Sequence, residues 1–284
     1  MSSKISLLFI AIFIYGCASS NKPPVKSVAD KKADLYYSHG TQMLVDKDYT
    51  SALMHLQNAY KFRSDDTKIL NNLGMAYYFK NDIESAIKYL KMAIDEDEDN
   101  SDARNNLASI FVNKKRYTEA MEQYQKIKKN LIYKHQYRTH YNIALIYKLR
   151  GNTDAAVSEL QKSVQIRKDY CPAFYQLGVI ATKQRRFRKS IDFFKKSTLG
   201  SCVNNPAPHY QQALSLLELD LQEQAFLKLK EVIEQFPTSR YSILATRKLR
   251  AVQVEQLRSQ NRKMSDRRIN KNKKTNNSET RVSF

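Results

Sequence analysis

The residues that could do chemistry are few, three cysteines and five histidines in a chain of 284 residues. No two histidines have the spacing of a metal site on one helix face, and no cysteine is near enough in sequence to complete such a site. The sequence also lacks a glycine-rich phosphate loop and a nucleophile elbow. We therefore expect no catalytic residue, no metal and no cofactor, and a protein that is not an enzyme. The histidines are His39, His55, His135, His140 and His209.

Cys17 lies where a bacterial export signal would be cut. Lys4 precedes an apolar run over residues 5–15, which is shorter than the ~20 residues of a membrane-spanning helix. Residues 14–17 (Ile-Tyr-Gly-Cys) resemble the lipobox, in which a peptidase cuts before a cysteine that carries diacylglycerol. The resemblance implies a signal peptide over 1–16 and acylation of Cys17, palmitate included. The alternative is an ordinary signal peptide with an incidental cysteine.

The residues after Cys17 indicate which membrane the protein is sorted to and how its folded part is tethered there. Ala18 stands where an aspartate would be the usual inner-membrane retention signal, so the resemblance implies the outer membrane, facing the periplasm. Residues 17–32 contain Pro23-Pro24 and no apolar periodicity. They predict a flexible, lipidated tether.

A pattern returns every 34 residues between residues 33 and 239, in copies that begin at residues 33, 67, 101, 137, 171 and 206. Small residues fill two positions in every copy, as two helices require where their backbones cross most closely. This pattern resembles that of the tetratricopeptide repeat. It predicts an all-α superhelix of six helical hairpins. The small residues are Gly40, Gly74, Ala108, Ala144, Gly178 and Ala213 at position 8, and Ala52, Ala86, Ala120, Ala156, Ser190 and Ala225 at position 20.

The C-terminal region is strongly basic. Residues 240–284 carry thirteen Lys and Arg against three acidic residues, half of the chain's net charge of +20. Apolar residues at helical spacing predict a capping helix over 240–262, because a terminal repeat must cover its apolar face. Residues 263–284 have almost no apolar side chains and predict a disordered basic tail. The tail favours an anionic envelope polymer as a possible partner, since export argues against nucleic acid. The alternative is a solvated extension without a role.

Cys171 and Cys202 occupy positions 1 and 32 of the fifth copy. Antiparallel helices bring those two positions together, and the periplasm is oxidising. If Cys17 carries lipid, an even pair remains, and we predict a disulfide between Cys171 and Cys202. The alternative is two buried thiols that act as small apolar groups.

The first helices of such hairpins line a concave groove, and positions 2, 5, 9 and 12 of each copy usually face it. The groove residues predicted here come from positions 5 and 9. Tyrosine, asparagine and aliphatic residues occupy most of these positions and favour recognition of a protein segment. The alternative is that some of them pack only against neighbouring repeats. We expect no clamp for a partner's C-terminal carboxylate, because the predicted groove lacks the paired Lys and Arg that such capture needs. The predicted groove residues are Tyr37, Asn71, Met75, Asn105, Tyr141, Leu145, Tyr175, Val179, Tyr210 and Leu214.

Three features of the repeats resemble the type IV pilus pilotins, the PilF, PilW and Tgl group. Residues 71–74 (Asn-Asn-Leu-Gly) and 105–108 (Asn-Asn-Leu-Ala) look like the paired asparagines of the family, and residues 236–239 (Phe-Pro-Thr-Ser) look like its ending. The two cysteines around the fifth repeat look most like the Tgl branch. The resemblance implies a non-enzymatic adaptor that helps an outer-membrane secretin to insert and multimerise.

Two other functions remain open on the sequence. The chain could be a scaffold lipoprotein of the outer-membrane protein insertion machinery, since those lipoproteins also stack such repeats. It could also be a cell-wall adaptor that holds hydrolases or binds an anionic envelope polymer through its tail. The identity of the partner, a secretin or a barrel-insertion protein, separates the first of these from the pilotin hypothesis.

Overall fold

A computed structural model describes residues 26–279, so Cys17 and the signal peptide lie outside the described residues. Within that range the chain forms thirteen α-helices, one short 3₁₀ helix at Gly200–Cys202 and no strand. No described helix is long and apolar enough to cross a membrane. The helices are α1 (Val28–Val45), α2 (Tyr49–Phe62), α3 (Thr67–Phe79), α4 (Ile83–Glu96), α5 (Ser101–Asn113), α6 (Tyr117–Lys129), α7 (Gln136–Leu149), α8 (Thr153–Ile166), α9 (Cys171–Lys183), α10 (Phe187–Lys196), α11 (Pro206–Glu218), α12 (Gln222–Gln235) and α13 (Arg240–Glu279).

The helices α1 to α12 pair into six antiparallel hairpins, and each hairpin packs on the next in chain order. The predicted all-α tetratricopeptide-repeat superhelix is therefore confirmed. Every hairpin turns through one residue with positive φ at position 15, and only Gly151 among these is a glycine. The following backbone N–H bonds back across the turn, as Asp48 N does to Met43 O at 2.9 Å, which ends the first helix of the pair. The other five turn residues are Lys47, Asn81, Lys115, Arg185 and Asp220.

Small residues lie where the two helices of a hairpin cross, as the repeat pattern predicts. A Cβ atom on Gly74 would lie 2.6 Å from Leu90 Cγ, and one on Gly178 would lie 2.6 Å from Phe194 Cε1. Both facing side chains are fully buried. Because the large residue at position 24 fills the space that the small residue leaves open, the two positions together fix the packing of each hairpin.

The predicted capping helix is present as the first part of α13. Tyr241, Ala245 and Leu249 pack against Leu229 and other residues of α12, so they cover the apolar end of the sixth hairpin. The helix then continues to Glu279, which makes it 40 residues long. The helix thus extends beyond the predicted end at 262 and into the segment that was predicted as a disordered basic tail. The reason is that Arg, Lys and Gln favour helix and no Gly or Pro interrupts the segment, even without a buried face.

The beginning of the repeat region also differs from the prediction. α1 begins at Val28, inside the segment 17–32 that was predicted as a flexible tether. Ser27 caps the helix: its Oγ accepts from Asp30 N at 3.0 Å, while Asp30 Oδ2 accepts from Ser27 N at 3.2 Å. This reciprocal capping box fixes the start of the helix one turn before the apolar pattern begins.

Candidate protein-binding groove

The first helices of the hairpins form the inner wall of the stack. α3 contacts both α1 and α5, and α5 contacts α7, although a second helix separates each pair along the chain. Such direct contacts are possible only on the inner side of a curved stack, where successive repeats lie closest together. This wall is the candidate groove.

All ten predicted groove residues are half-buried. Three of them, Tyr37, Asn71 and Asn105, line one cavity of ≈ 370 Å³ that spans the inner faces of repeats 1 to 4. The structure therefore gathers the first part of the predicted set into one cavity. The others, from Met75 to Leu214, lie on α3, α7, α9 and α11 outside that cavity.

Side-chain amides tie successive repeats together along the first half of the groove. Each bond joins a residue at position 6 of one repeat to position 5 or 9 of the repeat before it. The asparagines at position 6 therefore belong to the groove wall as much as the residues at the predicted positions do. The bonds run from Asn72 Nδ2 to Thr41 Oγ1 (3.0 Å), from Asn106 Nδ2 to Asn71 Oδ1 (2.8 Å) and from Asn142 Nδ2 to Asn105 Oδ1 (3.1 Å). Each amide has two N–H groups and two acceptor lone pairs, so every link leaves capacity for a ligand.

Tyrosines line the second half of the groove, and two of them also pack against aromatic rings of their own repeats. The Tyr141 ring meets the Tyr170 ring edge-on at 5.4 Å, and the Tyr175 ring lies 5.8 Å from the Phe194 ring. Burial raises the pKa of the Tyr141 and Tyr175 hydroxyls, so both are neutral donors at neutral pH. These tyrosine rings therefore both line the groove and contribute to the packing of the repeats.

Two further residues, Tyr241 and Arg240, lie beside the C-terminal end of the groove and were not predicted from the sequence. The Tyr241 ring lies 5.7 Å from the Tyr210 ring, and Arg240 donates to the Tyr241 hydroxyl at 2.9 Å. Both belong to α13, which was predicted only as a cap. Continuing the 34-residue register from 206 to 240 would have placed Tyr241 at position 2, a position that usually faces the groove.

Cations line the groove, contrary to the expectation that paired Lys and Arg are absent. Lys68 and Arg138 share the cavity with the asparagines, although they are 70 residues apart. Further along, Lys148 Nζ donates to Gln176 Oε1 at 2.6 Å. Burial, followed by the positive charge of Lys183, lowers the pKa of Lys148. Lys68 and Arg138 belong to repeats 2 and 4, so they share this cavity only because the repeats stack.

Cys171 and Cys202 form a disulfide with their Cα atoms 6.2 Å apart. It joins the start of α9 to the 3₁₀ helix that follows α10, and Cys171 is buried. The bridge lies at the loop between the fifth and sixth hairpins, away from the groove. Its place in the fold is therefore structural.

Two histidines are held inside hairpins by glutamates. His140 Nδ1 lies 2.5 Å from Glu159 Oε2, and His209 Nδ1 lies 2.9 Å from Glu231 Oε1. Burial lowers the pKa of His209 against the opposing effect of Glu231. Both histidines occupy position 4 of their repeats, so they fill the hairpin interior. The described residues contain no group of three or more His, Cys, Asp or Glu that could hold a metal ion.

Comparison with known proteins agrees with this architecture. Models described as tetratricopeptide repeat match residues 71–135, 137–170 and 209–239. PilF of Pseudomonas aeruginosa is 15% identical, with a TM-score of 0.66 over 78% of this chain and 100% of PilF. PilW, a type IV pilus biogenesis factor, is 17% identical, with a TM-score of 0.65 over 78% of this chain and 100% of PilW.

A protein from another context has a similar fold. The Cut9–Hcn1 complex of the APC/C contains a chain that is 15% identical, with a TM-score of 0.64 over 78% of this chain but 43% of that chain. No curated protein sequence matches this one. At these identities the similarity shows the fold, which is a protein-interaction scaffold. The chain is a tetratricopeptide-repeat protein that resembles the pilus biogenesis factors PilF and PilW.

Proposed function

We propose that this protein is a lipid-anchored pilotin, a non-enzymatic adaptor that assists assembly and outer-membrane insertion of a type IV pilus secretin. One observation carries the proposal: PilF and PilW are similar in fold to this chain over their whole lengths and over 78% of this chain. The paired asparagines and the lipobox-like segment 14–17 support it. The proposed location is the periplasmic face of the outer membrane, with Cys17 as the lipidated residue.

The groove would bind a segment of the secretin. Its first half offers amide groups that can bond a ligand backbone, and its second half offers tyrosine rings and aliphatic side chains such as Leu145 and Val179. Tyrosine combines a large contact area with a polar tip and loses little conformational entropy on binding. An extended or amphipathic partner segment fits this combination.

The test is the amount of heat- and detergent-resistant secretin multimer in outer membranes of cells with and without this gene. We expect the multimers to disappear while secretin monomer persists. The intact gene should restore them, and a Cys17→Ala variant should not. Unchanged multimers in the deletion strain would refute the pilotin proposal.

A pair of matched variants tests the groove itself. Val179→Arg places a bulky charge in the groove, whereas Leu227→Arg makes the same kind of change at an exposed position on α12. We expect the first variant to lose capture of the secretin and the second to retain it, with equal circular dichroism spectra. Equal capture by both variants would show that the groove is not the binding surface.

A second candidate function rests on α13. This helix continues far beyond the residues that pack on α12, and its sequence is strongly basic. A cell-wall adaptor that binds an anionic envelope polymer would use such a surface. If the protein has this function, deletion of residues 263–284 should abolish its salt-sensitive binding to the polymer. If it is a pilotin without this function, the deletion should leave polymer binding unchanged.

A further inference from the structure

The loops that join one hairpin to the next lie along one edge of the stack, because each antiparallel pair returns the chain to the side from which it started. We call this side the linking edge. It also holds the N-terminal end of α1, where the chain enters from residues 1–25. The loops of the linking edge are 63–66, 97–100, 130–135, 167–170 and 197–205.

Two adjacent aliphatic side chains project from the third of these loops. Leu131 is 90% exposed and Ile132 is 89% exposed. The loop is where the 34-residue register gains two residues, so its tip is not constrained by the packing of the repeats. In the loop 197–205, Leu199 and Val203 are exposed as well. Exposed apolar residues are ordinary when scattered singly, but a run of them along one edge marks a contact surface.

The charges of the linking edge change sign along the stack. Loops 63–66 and 97–100 carry five acidic residues and one arginine. From the third loop onward the edge carries exposed lysines: Lys129, Lys134 and Lys168 form no ion pair with another described residue. Lys129 shares a cavity with Glu98 and Asp99 of the second loop. The loops 130–135, 167–170 and 197–205 carry three cations, Lys134, Arg167 and Lys168, against one carboxylate, Asp169, which pairs with Arg167. Repeats 3 to 6 therefore present exposed aliphatic groups on an edge whose loops have a net positive charge.

We propose that the linking edge of repeats 3 to 6 rests on an anionic lipid surface, with Leu131 and Ile132 inserted among the headgroups. Aliphatic side chains gain by leaving water at the headgroup boundary, and adjacent lysines gain by approaching anionic headgroups. The exposed pair stands on a loop tip rather than in a concave pocket, which suits a soft surface better than a protein partner. This contact goes beyond the groove and does not require lipidation of Cys17.

The absence of tryptophan from the sequence makes the contact measurable. An Ile132→Trp variant of the full chain carries a single tryptophan at the loop tip. On vesicles of phosphatidylcholine and phosphatidylglycerol in equal parts, its emission should shift to the blue and be quenched by brominated acyl chains. The matched control is Val45→Trp, because Val45 is exposed at the end of α1 on the opposite edge. It should show neither effect.

The charged part of the proposal has its own test. Adding Lys129→Glu and Lys134→Glu to Ile132→Trp should reverse the blue shift, as should high salt or vesicles of phosphatidylcholine alone. Two results would overturn the proposal. One is an emission maximum of the Ile132→Trp variant that is the same with and without vesicles. The other is equal quenching of the Ile132→Trp and Val45→Trp variants by the brominated acyl chains. These outcomes are independent of the secretin multimers, so failure of one proposal is distinguishable from failure of the other.

Discussion

Replacement of Glu159 by glutamine removes a buried negative charge from the interior of the fourth repeat. The carboxylate is 9% exposed and lies 2.5 Å from His140 Nδ1 and 2.8 Å from Lys162 Nζ. Burial opposes the charged form, but the hydrogen bonds from His140 and Lys162 outweigh it and lower the pKa of Glu159 from 4.5 to about 2. Since one pKa unit corresponds to about 1.4 kcal/mol, the shift stabilises the folded protein by about 3 kcal/mol when Glu159 is ionised.

The direction of the pKa shift fixes the pH range of the effect. Because the pKa of Glu159 is lower in the folded than in the unfolded chain, its contribution is complete above pH 4.5 and is lost as the pH falls to about 2. Urea unfolding followed by circular dichroism should therefore show Glu159→Gln about 3 kcal/mol less stable than the parent near neutral pH. The two curves should converge in acid.

The matched control is Glu122→Gln, since Glu122 is exposed on α6 and forms no ion pair with a described residue. Its stability should follow that of the parent at every pH. A Glu159→Gln variant that is equally stable at neutral pH, or less stable by the same amount at every pH, would refute the electrostatic argument. The second result would indicate a packing defect instead.

Three further changes test the packing of the repeats. Gly178→Ala should lower the melting temperature, because a Cβ atom 2.6 Å from Phe194 Cε1 overpacks the crossing by about 1–3 kcal/mol, more than alanine gains in helix propensity. Reduction of Cys171–Cys202, or serine at both positions, should cost about 3–4 kcal/mol for a separation of 31 residues; an unchanged melting temperature would show that the bridge does not form. Lys115→Gly should stabilise the chain by up to about 1 kcal/mol, since Lys115 has a φ of 60°, and a lower urea midpoint would contradict this.

The hairpins could be predicted because the close packing of their two helices involves residues within one repeat, and the same residue types recur in every repeat. Gly74 and Leu90 belong to one hairpin, and the same pair of positions recurs in every copy, so the register alone indicates where the helices cross. The register also brought Cys171 and Cys202 to the same end of one hairpin. In each case the interacting residues lie within about one repeat, where the geometry of an antiparallel helix pair leaves little choice.

The ends of the repeat region were harder to predict. α1 begins before the apolar pattern does, because Ser27 caps the helix ahead of the first buried residue. α13 continues after the apolar pattern has ended, because no Gly or Pro interrupts the segment. Apolar periodicity reports burial, whereas capping and intrinsic propensity act on the backbone alone. A prediction from burial therefore misplaces helix ends that have no buried face.

The sequence by itself determined the six hairpins, their register and the side of each first helix that faces the groove. Only the tertiary structure decided which side chains of successive repeats meet in that groove. The bond from Asn106 to Asn71 joins residues 35 apart, and the cavity that Lys68 shares with Arg138 spans repeats 1 to 4. The physical reason is that such contacts depend on the angle at which one repeat stacks on the next. That angle is set by the summed packing of many side chains, and no single repeat of the sequence records it.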